Sequence, residues 1–368
     1  MRRKIITFTI AVAVISFCVI LLTLRENSQP EAVFQEKNFE LCSLPLPSGY
    51  PNSWTHAGIE YVKEGYNGYK YFLTCSPYPN YDDDYENPMF YYANPREGDV
   101  PPIKFIAYKN NPLQDDPGNG YNADPDVVFV DTNLYVINRP YLRPDSVWVN
   151  IQKCGIDSGD FSFDKPTSLY DNKHEPNNFG FAPSVKNTLI SPSIIKYEDE
   201  YRIYHLATNS YNDNTDCKGV VVMVSDVIDG EYSYKYYETG TISMVSAKPW
   251  HFDVFKYQDK LYAIICAYVH EDQFIEHIPI IARFVSHERK CFQYLAESDD
   301  GINFTVFNKP LTTVNSYRSS AFVREDGMFV LYISTLGYKP KGNLSEDGRN
   351  IMMAYKPFEQ ILRDVNDN

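Results

Sequence analysis

The sequence predicts an all-β fold, a five-bladed β-propeller behind an N-terminal transmembrane signal anchor, and three observations predict it. The first is a unit that occurs five times: a polar residue, a short apolar strand, a polar turn and a second strand. The second is its spacing. The copies open at His56, Asp124, Ser191, His251 and Arg318, 60 to 68 residues apart, too long for one solenoid coil and suited to a blade of about four strands. The third is composition: 31 Tyr and 22 Phe stand in runs broken by Asn, Asp, Gly and Pro, and no stretch beyond the N-terminus sustains a helical period.

In chain order, residues 1–25 read as a cytoplasmic tip and membrane span. Ile5 to Leu24 is an apolar run preceded by Arg2, Arg3 and Lys4; at about 20 residues it can cross a bilayer. It exceeds a cleaved signal's apolar region, and no small-residue cleavage site follows. The basic flank places the N-terminus in the cytoplasm and the body on the extracytoplasmic side, a single-pass arrangement. Residues 26–37 are polar and aperiodic, a juxtamembrane linker, and residues 38–368 form the propeller. Six cysteines lie in that body (Cys42, Cys75, Cys154, Cys217, Cys266, Cys291), a number compatible with disulfides in an oxidising compartment without requiring them.

The expected blades run from His56 to about Tyr108, Asp124 to Ser168, Ser191 to Glu238, Trp250 to Phe307 and Tyr317 to Pro357, with a short terminal helix from Phe358 to Val365. Blade one carries a long polar insertion, Ser76 to Pro88, and long loops on a rigid scaffold are where binding groups usually sit. A net charge of −14 with no Lys/Arg cluster excludes a nucleic-acid surface.

In a propeller the innermost strands converge on the channel, so equivalent positions meet although distant in sequence. First positions here are His56, Asp124, Ser191, His251 and Arg318; third positions are Gly58, Asp126, Ser193, Asp253 and Ser320. Identical packing would reward identical residues, so this mixture of charges points to a site. Candidate catalytic carboxylates are Glu86, Asp124, Asp126 and Asp253: one of the two Asp124/Asp126 groups paired with Glu86, and Asp253 holding His251 or tuning a neighbour. The Asp-Pro-Asp segment also suits a plain turn. Candidate substrate contacts are His56, Arg139, Ser191, Trp250, His251 and Arg318, with Tyr78, Tyr81, Tyr85 and Tyr141 as stacking faces and Lys248 as a further cation. Arg318 also reads as a pin for Asp124 or Asp126, because a buried carboxylate needs a counter-charge. His56 and His251 with these Asp residues suit a divalent ion, but no short metal motif supports one. Neither a metal nor another cofactor is expected.

Asp124-Pro125-Asp126, Ser191-Pro192-Ser193, Trp250-His251-Phe252-Asp253, Tyr317-Arg318-Ser319-Ser320 and the Ser298 to Phe304 turn give the chain a resemblance to the five-bladed propeller superfamily of arabinanases, xylosidases, levansucrases and invertases. Tyr85-Glu86-Asn87-Pro88 is most similar to uncharacterised glycosidase-like members, and the resemblance spans about residues 50 to 355. It implies glycoside hydrolysis or transfer on an extracytoplasmic glycan by two carboxylates. That family opens blade one with an Asp and supplies an acid Glu from blade three. His56 and Ser191 stand at those places here, which leaves open a propeller of the same fold that binds a polysaccharide without cutting it. A protein-interaction propeller would instead expose apolar patches on its face.

Overall fold

The computed structural model describes residues 31–367 except 144–145, 172–186, 210–216, 231, 233–236, 245–246, 270–289, 338, 340–344 and 346. The expected membrane span lies outside the described residues. No helix among those described is long and apolar enough to cross a membrane.

Five antiparallel sheets of four or five strands follow one another along the chain. Blade one comprises Thr55–Tyr66, Tyr69–Ser76, Met89–Ala93 and Ile106–Ala107. Blade two comprises Gly120–Val130, Asn133–Leu142, Ser146–Asp157, Asp160–Phe163 and Thr167–Asp171, and blade three Asn187–Tyr197, Glu200–Asn209, Cys217–Ser225 and Tyr237–Gly240. Blade four contains Ala247–Tyr257, Lys260–Val269, Lys290–Ser298 and Phe304–Val306, with Ile242–Ser243 added in parallel. Blade five is Ser320–Val323, Met328–Ser334 and Ile351–Pro357, completed by Glu40–Leu41 from the far end of the chain. That last pairing closes the ring, with Glu40 opposite Met353.

Strand alternation explains why the blades stack. In Met328–Ser334, Phe329, Leu331 and Ile333 pack towards blade four, whereas Val330 and Tyr332 pack towards blade one. Every blade presents apolar residues on both faces, and five apolar layers fill the five interfaces. The helix Phe358–Asn366 buries Phe358, Ile361 and Val365, one face at helical spacing, on the layer between blades four and five.

One expectation changes. The linker does not reach residue 37: Val33 and Phe34 are buried in the layer between blades four and five, and the Phe34 N–H donates to the Leu311 carbonyl at 2.7 Å. Short apolar runs inside polar sequence carry no period, so this docking was invisible. Cys42, Cys75, Cys154 and Cys266 are buried free thiols and behave as small core residues. The Ser298 to Phe304 turn forms as expected. Asp300 Oδ1 accepts from the Ile302 and Asn303 N–H groups at 2.8 and 2.7 Å, Gly301 takes φ 74°, and Phe304 is buried.

Candidate active site at the propeller mouth

In blades one, two and three the first position of the repeat falls in a bulge, and in blade four the slip lies one residue earlier, at Trp250. Pairing of the two inner strands slips between Thr55 and Gly58, Ala123 and Asp126, Ile190 and Ser193, and Pro249 and His251. His56, Asp124 and Ser191 take φ of 55°, 52° and 53°, a left-handed conformation that costs non-glycine residues roughly 1–3 kcal/mol each and gathers at functional sites. Asp-Pro-Asp is therefore a bulged segment inside the strand Gly120–Val130, not the loop turn that its composition also allows.

The upper layer gathers around Asp124. His56 stands between two carboxylates, Nδ1 at 3.3 Å from Glu86 Oε1 and Nε2 at 3.4 Å from Asp124 Oδ1. His251 Nδ1 lies 3.7 Å from the same Asp124 oxygen and is hydrogen-bonded to the Ser191 hydroxyl. Asp124 Oδ2 accepts from the Ser191 N–H at 3.3 Å and lies 3.8 Å from Arg139 Nη1. Arg139 is fixed in turn by donating Nε–H to the Leu189 carbonyl at 2.9 Å. All six side chains are buried. Among the described residues, both His56 nitrogens, His251 Nε2 and Asp124 Oδ1 lack a hydrogen-bond partner, an unusual cluster of orphans for a protein interior.

Electrostatics sets the protonation states apart. Burial lowers His56 to about 4 and takes His251 well below its ordinary value, so both imidazoles are neutral at pH 7. Burial raises Asp124, but the cationic groups around it outweigh that and take the carboxylate below its ordinary value; with both imidazoles neutral, the charge that remains at pH 7 is that of Arg139 and Arg318. Glu86 is pushed well up by burial and by the Asp124 charge. Neutral imidazole and ionised carboxylate are the forms that bind a cation. One atom each from His56, Asp124 and His251 lie within 4.8 Å of one another, and the 3.4 Å between His56 Nε2 and Asp124 Oδ1 matches the edge of a tetrahedron whose bonds are about 2.1 Å. The absence of a short motif hid this set, because its members come from three blades.

The lower layer is a belt of structural clips. Asp126 Oδ2 accepts from the Ile194 N–H of the next blade at 3.1 Å, Ser193 Oγ from Val254 N–H at 2.9 Å, and Ser320 Oγ from Ile59 N–H at 3.1 Å. Each third-position side chain thus holds the fourth-position amide of its neighbour. Asp253 instead accepts from the Ser193 and Ser320 hydroxyls at 3.0 and 2.6 Å. It does not hold His251, which Ser191 holds. Arg318 is fully buried between the layers, donating to the Asp124 and Pro192 carbonyls at 2.9 and 2.8 Å and lying 3.6 Å from Asp253 and 4.0 Å from Asp126. It pins the backbone of Asp124 and neutralises the two lower carboxylates, so Asp126 and Asp253 stand apart from the Glu86–His56–Asp124 line.

Blade one has glycine at its third position for lack of room. A Cβ on Gly58 would stand 2.8 Å from Thr74 Oγ1 and 3.0 Å from Asp126. Gly58→Ala is expected to lower stability by about 1–3 kcal/mol through overpacking of this layer, read as a shift in urea midpoint at unchanged slope.

The rim is aromatic. Trp250 donates Nε1–H to the Tyr317 hydroxyl at 2.8 Å, and Tyr317 packs against His251 and His56 with ring centroids 4.4 and 5.2 Å apart. Tyr78 stacks on His56 at 6.4 Å, Tyr81 is 69 % exposed and Tyr85 is exposed beside them. Tyr141 packs instead on Tyr121, centroids 5.0 Å apart, and Lys248 lies in the inner strand of blade four opposite Tyr268. Sequence reasoning missed Arg349, whose guanidinium lies 4.5 Å from the ring centroids of both Tyr78 and Tyr81. Its only signal was a tyrosine-rich insertion with no evident partner.

No family model matches the chain, and no curated protein does. Solved structures do. An N-acetylgalactosamine deacetylase from F. plautii, solved in complex with blood group B trisaccharide, superposes with a TM-score of 0.61 at 16 % identity, covering 92 % of this chain and 97 % of that one. A family 117 glycoside hydrolase from the marine bacterium Zobellia galactanivorans gives 0.52 at 12 % identity, covering 88 % and 91 %. A xylan β-1,4-xylosidase from Bacillus halodurans C-125 gives 0.54 at 12 % identity, covering 84 % of this chain and 54 % of that one. At these identities the likeness is one of fold: the chain is a five-bladed propeller of the architecture found in glycoside hydrolases.

Proposed function

We propose that the protein is a glycan-acting hydrolase that works with a divalent cation held by His56, Asp124 and His251, and that the bond it cleaves is the acyl amide of an N-acetylated sugar. One observation carries this reading. The His56 imidazole fills the space between Glu86 and Asp124, the space that a glycosidase leaves for the anomeric carbon and water. If His56 Nδ1 carries its hydrogen towards Glu86, the Nε2 lone pair faces an Asp124 lone pair. A positive charge between them satisfies the orphaned atoms, with Glu86 orienting the ligand imidazole.

The cation would supply a polarised carbonyl and a water that ionises near neutral pH. The chain's own groups do the rest. Ser191 fixes the His251 ring, Arg139 and the Ser191 amide hold Asp124, and Tyr78, Tyr317 and Trp250 offer flat faces to the sugar. Water adds to the acyl carbon, the C–N bond breaks, and acetate and a protonated amine leave. The deacetylase likeness supports that choice of bond. The apolar run at the N-terminus supports an extracytoplasmic glycan and attachment to a membrane.

A second reading, glycoside hydrolysis by Glu86 as acid with Asp124 as its ionised partner, is favoured by the way their environments push the two carboxyls apart. The test is incubation of the full chain with N-acetylated and plain oligosaccharides, before and after chelation, scoring acetate and new reducing ends separately. Acetate release that chelation abolishes and a divalent ion restores is the expected result. Reducing ends that persist in chelator would overturn the amidase reading in favour of the second; neither product, with binding retained, would leave a glycan-binding propeller.

A further inference from the structure

We propose that Arg349 is a carboxylate receptor beside the reacting centre, so that the glycan taken at this mouth is an acidic one with a uronic acid next to the N-acetylated sugar. The inference rests on the reading that a glycan binds at the His56 end of the channel, and it adds the charge of that glycan.

Arg349 is 1 % exposed, and neither Nη1 nor Nη2 has a hydrogen-bond partner among the described residues. Its one ion partner, Asp347, lies 3.5 Å from Nε. That carboxylate is already occupied: it accepts from the Ser345 hydroxyl at 2.6 Å, the Ser53 hydroxyl at 3.1 Å, and the N–H groups of Asn80 and Arg349 at 2.9 and 3.2 Å. A buried guanidinium is thus held in place by π-faces, with its two-pronged end unmet. Such an end matches a planar carboxylate in bidentate fashion.

Its position ties it to the site. The guanidinium carbon lies 4.5 Å from the centroids of both the Tyr78 and Tyr81 rings and 5.9 Å from that of Tyr317. Tyr78 and Tyr317 both pack on His56, so the receptor stands one aromatic ring from the proposed reacting centre, within reach of a neighbouring sugar. The blade-one insertion reaches over Arg349 through Asn80 and Tyr81, whose φ of 52° and 63° mark a loop held in a costly shape. A chain of net charge −14 repels polyanions at long range, so an acidic sugar needs a dedicated cation at the point of contact.

The test is calorimetric titration of the full chain, in chelator so that no turnover occurs, with unsulfated chondroitin tetrasaccharide (glucuronate alternating with N-acetylgalactosamine) and its carboxyl-reduced, neutral counterpart. The acidic form is expected to bind roughly 10- to 100-fold more tightly, the scale of a charge-assisted hydrogen-bond pair. Arg349→Lys is expected to remove most of that preference, read as the ratio of the two affinities. Tyr81→Ala, which removes a ring that is 69 % exposed, is expected to reduce it in part. Equal binding of both forms by the unaltered chain overturns the proposal and leaves the hydrolase reading standing. A preference that survives in Arg349→Lys and grows no weaker with added salt overturns it as well. Binding of neither form, while a neutral N-acetylated oligosaccharide is still hydrolysed, does the same.

Discussion

Asp124→Asn is expected to abolish turnover, lowering kcat/KM at least about 10³-fold, the scale on which loss of a transition-state electrostatic group is felt, while leaving the fold intact. Asp124 is the point where the upper layer meets: one oxygen faces both imidazoles and the other faces Ser191 and Arg139. The amide keeps the shape and one acceptor but loses the charge that balances a cation. Glu86→Gln, at a residue that faces His56 Nδ1, is expected to cost roughly 10–100-fold, as outer partners of metal-bound imidazoles do. Cation affinity by calorimetry separates the two: it collapses in Asp124→Asn and weakens moderately in Glu86→Gln. Acetate release at near-normal rates by Asp124→Asn would remove the cluster from the reaction.

The acid side of the pH profile follows from the same layer. Burial holds His56 down to about 4, so the imidazole remains an available ligand well below its ordinary titration. The hydrolytic rate is therefore expected to hold to about pH 5, where an exposed histidine ligand would already be protonated. A rate that halves near pH 6.5 would show a histidine titrating normally.

The repeat was legible because propeller symmetry writes the same hairpin five times, and four of the first positions read from it, His56, Asp124, Ser191 and His251, meet in the upper layer. What the sequence could not separate was depth. First and third positions of a strand share a face, so Asp124 and Asp126 looked interchangeable, and only the bulge at Asp124 lifts one above the other. Glu86 was legible because a polar insertion of that length needs a purpose on a rigid scaffold. Arg349 was not, since the Tyr78 and Tyr81 rings that hold it belong to the blade-one insertion while it lies in the connection between Met328–Ser334 and Ile351–Pro357 of blade five. Arg318 read as a pin for a carboxylate, and it is one, but its hydrogen bonds go to backbone carbonyls. Side-chain identity alone does not tell a charge pair from a donor.

The largest effect on stability is expected from Arg318→Met. Arg318 is the buried counter-charge of Asp126 and Asp253 and the donor to two carbonyls; removing one partner of a buried ionic group costs about 3–5 kcal/mol. The loss should depend on pH, and its sign is fixed by linkage. Burial, and then the Asp253 charge, raise Asp126 above its ordinary 3.8. Between its unfolded and folded values the folded state holds a proton that the unfolded state has released, so the stability that Asp126 contributes is fully present below about pH 4 and declines as pH rises through the raised folded value. His56 acts in the opposite sense only between about 4 and 6.5, where its depressed value leaves the unfolded chain more protonated. Above pH 6.5 His56 no longer contributes to the slope. Without Arg318 both carboxylates hold protons to higher pH, so the deficit of Arg318→Met is expected to widen from pH 6.5 to pH 9 in urea unfolding. A deficit that is constant across that range would mean that Arg318 acts through its backbone hydrogen bonds alone, and one that narrows would mean that the lower carboxylates are not the charges it balances.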